Sequence, residues 1–541
     1  MKGRTQDRSY QYQDFLRLYN ERDQIDQELL QALAVVHIPC TGADFVSYVS
    51  QIPKSRCSNL NPEIIESKIQ SLCETPLIYT KGDTIQLRFE LNQELYAKLV
   101  WGQKLPAFIL AIRKVFTLLD RLCTESYDEA LQKDVQEQGS ECILFSLRYL
   151  LYHEKKTHDE IIDFIYHFEE LFPEEYQKKH PYLRIFDTPF QELWFIQFDA
   201  QTTAKIHLCL LHQKMSRLQD PGPILESLES LYSSSDLRGT PAHTDVYHFL
   251  SIFYRLRGRP SSAWLNERSI DKDRMGWSLG VRAFQSLIEG NYENAMSTFH
   301  RAWREIRQEH LVQESFMESI LGPFFILTAL NQRQHNITNE QVLTLAAHML
   351  IPVYESQQSP WGTHLIYPIV NQIIAPYVNQ VDAEPLEPTL SFRSNCSLLW
   401  LFEALYGLWH YGEDYSRMLK PLRKIYSAAK RSGYQWLEAE AGSIIAHLDP
   451  EDLLMFQETE ALHLRLGTRS LTNLHPVRLG WRNLLERLRD VGQTKGQLDT
   501  RRGHSESTRV IWVTQQAPKA NEFKFMPYVQ QQANEGRGRR G

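Results

Sequence analysis

The stretch from Ala283 to Ile306, AFQSLIEGNYENAMSTFHRAWREI, constrains this chain more than any other. Two short amphipathic helices flank a tight turn at Gly290-Asn291-Tyr292. Gly290 supplies a backbone conformation there that side-chain-bearing residues reach only with strain. On the second helix Ala295, Phe299 and Ala302 recur at spacings of four and three, which sets them on one face. Alanines on that face let a neighbouring helix approach closely. A lone hairpin cannot bury its own apolar face, so helical neighbours are expected on both sides.

Length points the same way. A chain of 541 residues exceeds a single hydrophobic core and divides into roughly three or four units. Hydrophobic residues at 42% and charged residues at 23% suit a globular protein with a large packed interior. The longest apolar run, Pro323 to Leu330, is far short of the ~20 residues a membrane span needs, so no membrane partner is expected. The polar N-terminus, MKGRTQDRSYQYQD, lacks the apolar core of a signal peptide, and a cytoplasmic location is expected. Seven cysteines with no C-x-x-C pair read as free thiols of a reducing compartment.

Charge is unevenly spread. The net charge is −7, yet from Lys495 onward nine Lys or Arg face four acids. The tail therefore carries +5 and the rest of the chain −12. A basic end on an acidic body raises duplex DNA as a candidate partner, a solvated tail without a partner being the plain alternative.

Residues 1–23 read as a leading helix or arm. Ile25, Leu29, Leu30, Leu33 and Ala34 then mark one helical face, and Thr41 can cap a second helix through Phe45, Val46, Val49 and Ile52. Asn61-Pro62 opens a third helix with Ile64, Ile65, Ile69 and Leu72. Two β-prone runs around Lys81-Gly82-Asp83 predict a hairpin, and a further helix runs through Leu95 and Leu99 to Trp101. Three helices followed by a two-stranded ribbon is the order of a winged helix. Its third helix would face DNA, but here it carries Glu63, Glu66 and Glu74 against Lys68 alone. A unit that docks protein fits that charge better than one that reads DNA. The candidate DNA contacts are Lys54, Arg56, Lys68, Lys81 and Arg88 in this unit, with Arg501, Arg502, Arg537, Arg539 and Arg540 in the tail.

The expected fold class is mainly α. An arm and winged-helix-like unit cover 1–101, and a helical bundle covers 102–213. A loop or linker rich in Pro, Gly and Ser follows over 214–245. Helical repeats fill 246–377 and continue over 378–450, forming an irregular α-solenoid. The texture changes over 451–541, where a short helix from Trp481, strands at TRVIWVTQQ and EFKFMPYVQQQ, and a Gly/Arg tail are expected.

Catalytic signatures are scarce. No Gly-rich phosphate loop or dinucleotide turn is present, and no cofactor, metal or small-molecule substrate is expected. Gly276-Trp-Ser278-Leu-Gly280 matches a nucleophile elbow, but the charged SIDKDRM before it is no core strand, and a helix-start loop is the better reading. His153 and His158 are spaced by five, which does not put both imidazoles on one helical face as a spacing of four does. They read as surface.

The Gly290–Ala302 pattern resembles a tetratricopeptide repeat, whose Gly-x-Tyr turn and Ala, Phe, Ala offsets it shares. More broadly, the chain resembles the non-motor N-terminal region of bacterial Swi/Snf-type DNA helicase-like proteins. The resemblance rests on IQLRFELNQELYAKLVW and on GPFFILTALNQR after the repeat. It continues at Gly433-Tyr434-x-Trp436-x-x-x-Glu440 and Trp481-x-x-Leu484-Leu485-x-x-Leu488, and ends at Arg509-Val-Ile-Trp512-Val, Pro527-Tyr-Val-Gln530 and Gly536-Arg-Gly-Arg539. These are scattered positions over 25–541. The resemblance implies a scaffold that holds a protein partner in the solenoid groove and DNA on its basic tail, accessory to an ATP-driven translocase. Walker A, Asp-Glu-x-His and both helicase lobes are missing from this sequence, so the resemblance implies either a fragment or a naturally split gene product, and no ATP hydrolysis is expected of it alone. The alternatives are a stand-alone tetratricopeptide-type transcriptional regulator or adaptor, and an enzyme whose site the sequence does not display.

Overall fold

A computed structural model describes residues 12–124, 129–172, 175–176, 179–187, 190–259, 275–308 and 418–473, with positions 321, 324, 325 and 328. The described chain is mainly helical, and it divides into two units, Met1–Leu210 and Leu211–Gly541.

The first unit begins with α1 (Tyr12–Asn20), which buries Phe15 and Tyr19. Asp23 caps α2 (Gln24–Val36) by accepting from the Ile25 and Asp26 amides, each at 2.9 Å. The helix ends where His37 turns into the left-handed region at φ 64°. Strand β1 (Cys40–Thr41) follows, and the Thr41 hydroxyl accepts from the Asp44 amide to start α3 (Gly42–Ser50). Asn61 caps α4 (Pro62–Cys73), with Pro62 in the first turn where its missing N–H costs nothing. Strands β2 (Ile78–Lys81) and β3 (Thr84–Leu87) form the expected hairpin, and α5 (Phe89–Trp101) succeeds it. The antiparallel sheet has the order β1-β3-β2, with Cys40 opposite Ile85 and Ile78 opposite Leu87. Its residues Ile78, Ile85 and Leu87 are buried, with β3 packed on α2, β2 on α4, and α2 in turn on α5.

Residues 105–210 continue as α6 (Leu105–Val115), α7 (Thr117–Thr124), α8 (Glu129–Gln138) and α9 (Glu141–Arg148). One wide helical turn, Tyr149–His153, extends α9. Then come α10 (His158–Leu171), α11 (Pro181–Phe186) and α12 (Ala200–Ser216). LPAFILAIRKVFTLLDRL reads as unbroken apolar periodicity, yet Phe116 adopts an extended ψ of 90° and divides it.

In the second unit α13 (Gly222–Ser233) falls inside the stretch expected as a linker, 214–245, and α14 (Pro241–Leu256) begins at its end and runs on into the stretch expected as helical repeats. Pro223 and Pro241 lie in the first turns of these helices, where proline starts a helix instead of breaking one. The hairpin α15 (Met275–Ile288) and α16 (Tyr292–Gln308) turns at Gly290, φ 81°, and buries Ala295, Phe299 and Ala302 completely. A second hairpin, α17 (Leu419–Ser432) and α18 (Gln435–Leu448), turns at Gly433. The helical texture does not stop at 450 as expected. Asp452 caps a further helix, α19 (Leu453–Leu466), that packs on α18. Phe284, Phe324 and Trp436 pack with ring centroids 4.5 to 6.0 Å apart, tying α18 to α15. The expected helices between 329 and 417, and the helix and strands after 473, lie outside the described residues.

Candidate nucleic-acid interface and partner-binding surfaces

The five basic residues proposed for the first unit meet different fates. Lys54 and Lys81 are exposed, the former at φ 58° in the loop after α3, the latter at the hairpin tip. Arg56 is exposed but bonds the Gln24 side chain, and its amide donates to Glu28 at 3.3 Å. Lys68 sits between Asp23 and Asp26, at 2.7 and 2.8 Å. Its ammonium holds the Asp23 carboxyl below the ordinary range, so charge at this point is already balanced. Arg88 donates to the Pro76 carbonyl at 3.2 Å and lies 5.7 Å from the Tyr79 ring centroid. Arg501, Arg502, Arg537, Arg539 and Arg540 lie outside the described residues.

What α4 presents instead is acidic and partly apolar. Glu63, Glu66, Ser67, Gln70, Ser71 and Glu74 are exposed, and Ile64 on the same helix is half exposed. Tyr79 on the adjoining strand β2 is exposed as well. Ile65, Ile69 and Leu72 take the inner face. Phosphates approaching this helix would meet three carboxylates and no unpaired cation.

The catalytic look-alikes resolve into packing contacts. Ser278 lies in the first turn of α15, only 2% exposed, and its hydroxyl is 2.9 Å from His248 Nε2 on α14. A serine within a helix lacks the strained strand-to-helix turn of a nucleophile elbow. The contact joins two helices. His158, expected at the surface, is buried at the start of α10 with its Nδ1 2.9 Å from the Tyr182 hydroxyl, while His153 ends the wide turn after α9. Burial holds His158 neutral, its pKa down to about 3. Cys209 lies 3.4 Å from His180 Nδ1, but both are fully buried, and burial pushes the thiol well up, away from the thiolate a nucleophile needs. Among the described residues no group of three or more His, Cys, Asp or Glu is placed to hold a metal. The six described cysteines are free thiols.

A buried polar network organises the interior of the first unit. Arg148 Nε donates to Gln93 Oε1 at 3.0 Å, and one of its terminal nitrogens is 2.7 Å from His37 Nδ1. His37 Nε2 is 2.7 Å from Glu141 Oε2, and Glu141 also pairs with Arg184. Gln93 donates to the Tyr152 hydroxyl at 2.7 Å, which donates to the Trp194 carbonyl at 3.1 Å. Burial, then the Arg148 cation, depress His37 to about 4, so neutral imidazole bridges guanidinium and carboxylate. The network ties α2, α5, α9 and α11 together.

An open cleft of about 750 Å³ lies on the outer face of α17, lined by Leu419, Lys420, Arg423, Lys424, Ser427, Ala428 and Arg431. Sequence reading passed over these residues. The signal was present, because α17 holds five cations and no acid in fourteen residues.

Fold and surfaces together define a mainly helical protein with a small three-stranded sheet. None of its described helices is long and apolar enough to cross a membrane. Comparisons with protein-family models, curated proteins and solved structures found no match.

Proposed function

We propose that this chain is a non-catalytic scaffold that binds protein partners through its helical hairpins and its winged-helix-like unit. The observation that carries the reading is the outer face of α4: Glu63, Glu66 and Glu74 are exposed, and Lys68 is held by Asp23 and Asp26. The order α2, β1, α3, α4, β2, β3, α5 with sheet order β1-β3-β2 supports a winged helix, in which α4 would be the reading helix. An acidic reading helix repels phosphate and suits a protein surface. The hairpins at Gly290 and Gly433, each with small residues buried at its contact face, support a tetratricopeptide-like solenoid. Service to a Swi/Snf-type DNA translocase, with duplex DNA on the basic tail, is supported by the sequence resemblance and the tail's charge.

Salt-titrated binding of duplex DNA by the full chain tests this reading. Changing Lys54 and Lys81 to Glu should leave affinity unaltered. Changing the five tail arginines to Gln should weaken it and flatten the salt slope by up to about 4 to 5. A steep loss on Lys54→Glu/Lys81→Glu would mean that the winged-helix-like unit contacts DNA. ATP turnover by the chain, with or without DNA, would overturn the scaffold reading altogether.

A further inference from the structure

We propose that the outer face of α17 is a docking trough for an acidic, extended segment of a partner protein. Such docking rests on the scaffold reading and gives its partner a chemistry. Helix α17 turns Pro421, Leu422, Ile425 and Ala429 inward and lines the cleft with the opposite face. Of the cations there, Arg423 is already matched by Asp449 at 2.9 Å and Asp452 at 3.8 Å. Lys420, Lys424 and Arg431 have no acidic partner within 4.0 Å among the described residues. Lys420, Lys424 and Arg431, whose Nε donates to the Ser427 carbonyl at 3.3 Å, share this exposed face with Leu419, Ser427 and Ala428, which line the same open cleft.

Dimensions select the ligand. Lys420 and Lys424 are one helical turn apart, about 6 Å along the axis. That is close to the two-residue repeat of an extended chain, about 6.6 Å. Carboxylates on alternate residues of a strand would therefore meet Lys420 and Lys424, and a carboxylate farther along the same segment would meet Arg431. From Lys420 to Arg431 the face spans about 16 Å, room for about five extended residues.

Neighbouring charge argues against duplex DNA. Asp449 and Asp452 flank Arg423, Glu438 lies 3.9 Å from Lys430, and Glu458 accepts from the Tyr426 hydroxyl at 3.3 Å. A duplex is wider than one helix face and would press phosphates against these carboxylates. A single peptide strand avoids them.

The test uses the full chain and a short fluorescein-labelled peptide repeating Asp-Leu-Glu-Ala, read by anisotropy at low salt. Binding should fall at least about tenfold in Lys420→Glu/Lys424→Glu/Arg431→Glu, and by an intermediate factor in the corresponding triple Gln variant. All three positions border open solvent, and circular dichroism with a thermal melt verifies that both variants stay folded. A peptide with Lys in place of its acids should not bind. The trough is refuted if the acidic peptide fails to bind wild type, or if the reversed variant binds it within about twofold of wild type. It is equally refuted if these substitutions abolish binding of duplex DNA while sparing the peptide. The scaffold reading fails by a different readout, ATP turnover, so loss of one is not loss of the other.

Discussion

Replacing Glu440 by Gln should make the protein more stable at alkaline pH and leave it nearly unchanged in mild acid. Glu440 is fully buried on α18. Burial pushes its carboxyl up to about 8 from an ordinary 4.5, even though the Leu471 amide, at 3.0 and 3.1 Å, and the Ser470 hydroxyl, at 3.3 Å, favour the ionised form. His463 Nε2 lies 3.7 Å from Glu440, but burial lowers that imidazole to about 4. At neutral pH the two therefore face each other mainly as neutral acid and neutral base, not as an ion pair. Because the folded value lies above the unfolded one, the stabilisation is full below pH 4.5 and is lost as pH rises to about 8. At about 1.4 kcal/mol per pH unit the loss is at most about 5 kcal/mol, and relaxation around the carboxylate makes about 2–4 kcal/mol the working expectation. The substituted amide keeps a carbonyl for the Leu471 N–H and has no proton to lose. Urea unfolding of both proteins across pH 5 to 9, followed by tryptophan fluorescence, measures the difference directly, since every other titration cancels. Curves that keep a constant separation over this range would refute the claim that a buried, protonated Glu440 holds the segment after α19.

Other consequences have independent readouts. His37 and His207 are depressed to about 4, and His158 and His212 to about 3, each chiefly by burial. Unfolding exposes them to protonation near pH 6.5, so stability should be full above that value and fall toward pH 4, by up to about 3 kcal/mol per histidine; an unfolding midpoint that stays flat from pH 7 to 5 would contradict this. Gly290→Ala puts a Cβ 2.4 Å from Arg469 Cδ at a backbone φ of 81°, and should cost about 2 kcal/mol, seen as a melting temperature lower by several degrees. Ser278→Ala removes the contact with His248 and should cost about 1–2 kcal/mol in urea unfolding; a cost near zero would mean that the contact does not brace α14 against α15.

Local signals were legible wherever one residue dictates one conformation. Thr41 and Asn61 read as caps and are caps; Lys81-Gly82-Asp83 reads as a hairpin tip and is one, with Gly82 at φ 65°. The same logic misled at Pro221-Gly222-Pro223. Proline is compatible with a loop and with a first helical turn alike, and only the partner helix α14 decides between them. Helix α19 was missed for a related reason: Leu453, Leu454, Phe456 and Leu464 are exposed, so its apolar residues do not trace the buried stripe that marks a helix. Among the candidate site residues, exposure of Lys54 and Lys81 follows from loop and hairpin position. The pairing of Lys68 with Asp23 and Asp26 does not, because those partners lie more than forty positions earlier.

The sequence alone determined the helical class, the hairpin at Gly290, and the helices and two-stranded hairpin between Gln24 and Trp101, though not strand β1. Capping, glycine geometry and apolar period act over a few neighbouring residues, while β1 exists only by pairing with β3. Tertiary structure alone decided which charges remain available. Lys68 and Arg423 are neutralised, Lys420, Lys424 and Arg431 have no acidic partner among the described residues, and Glu440 and His463 are forced into their neutral forms. A charge interacts with whatever the fold brings within a few ångströms, and burial sets the strength of that interaction; neither is encoded by position along the chain.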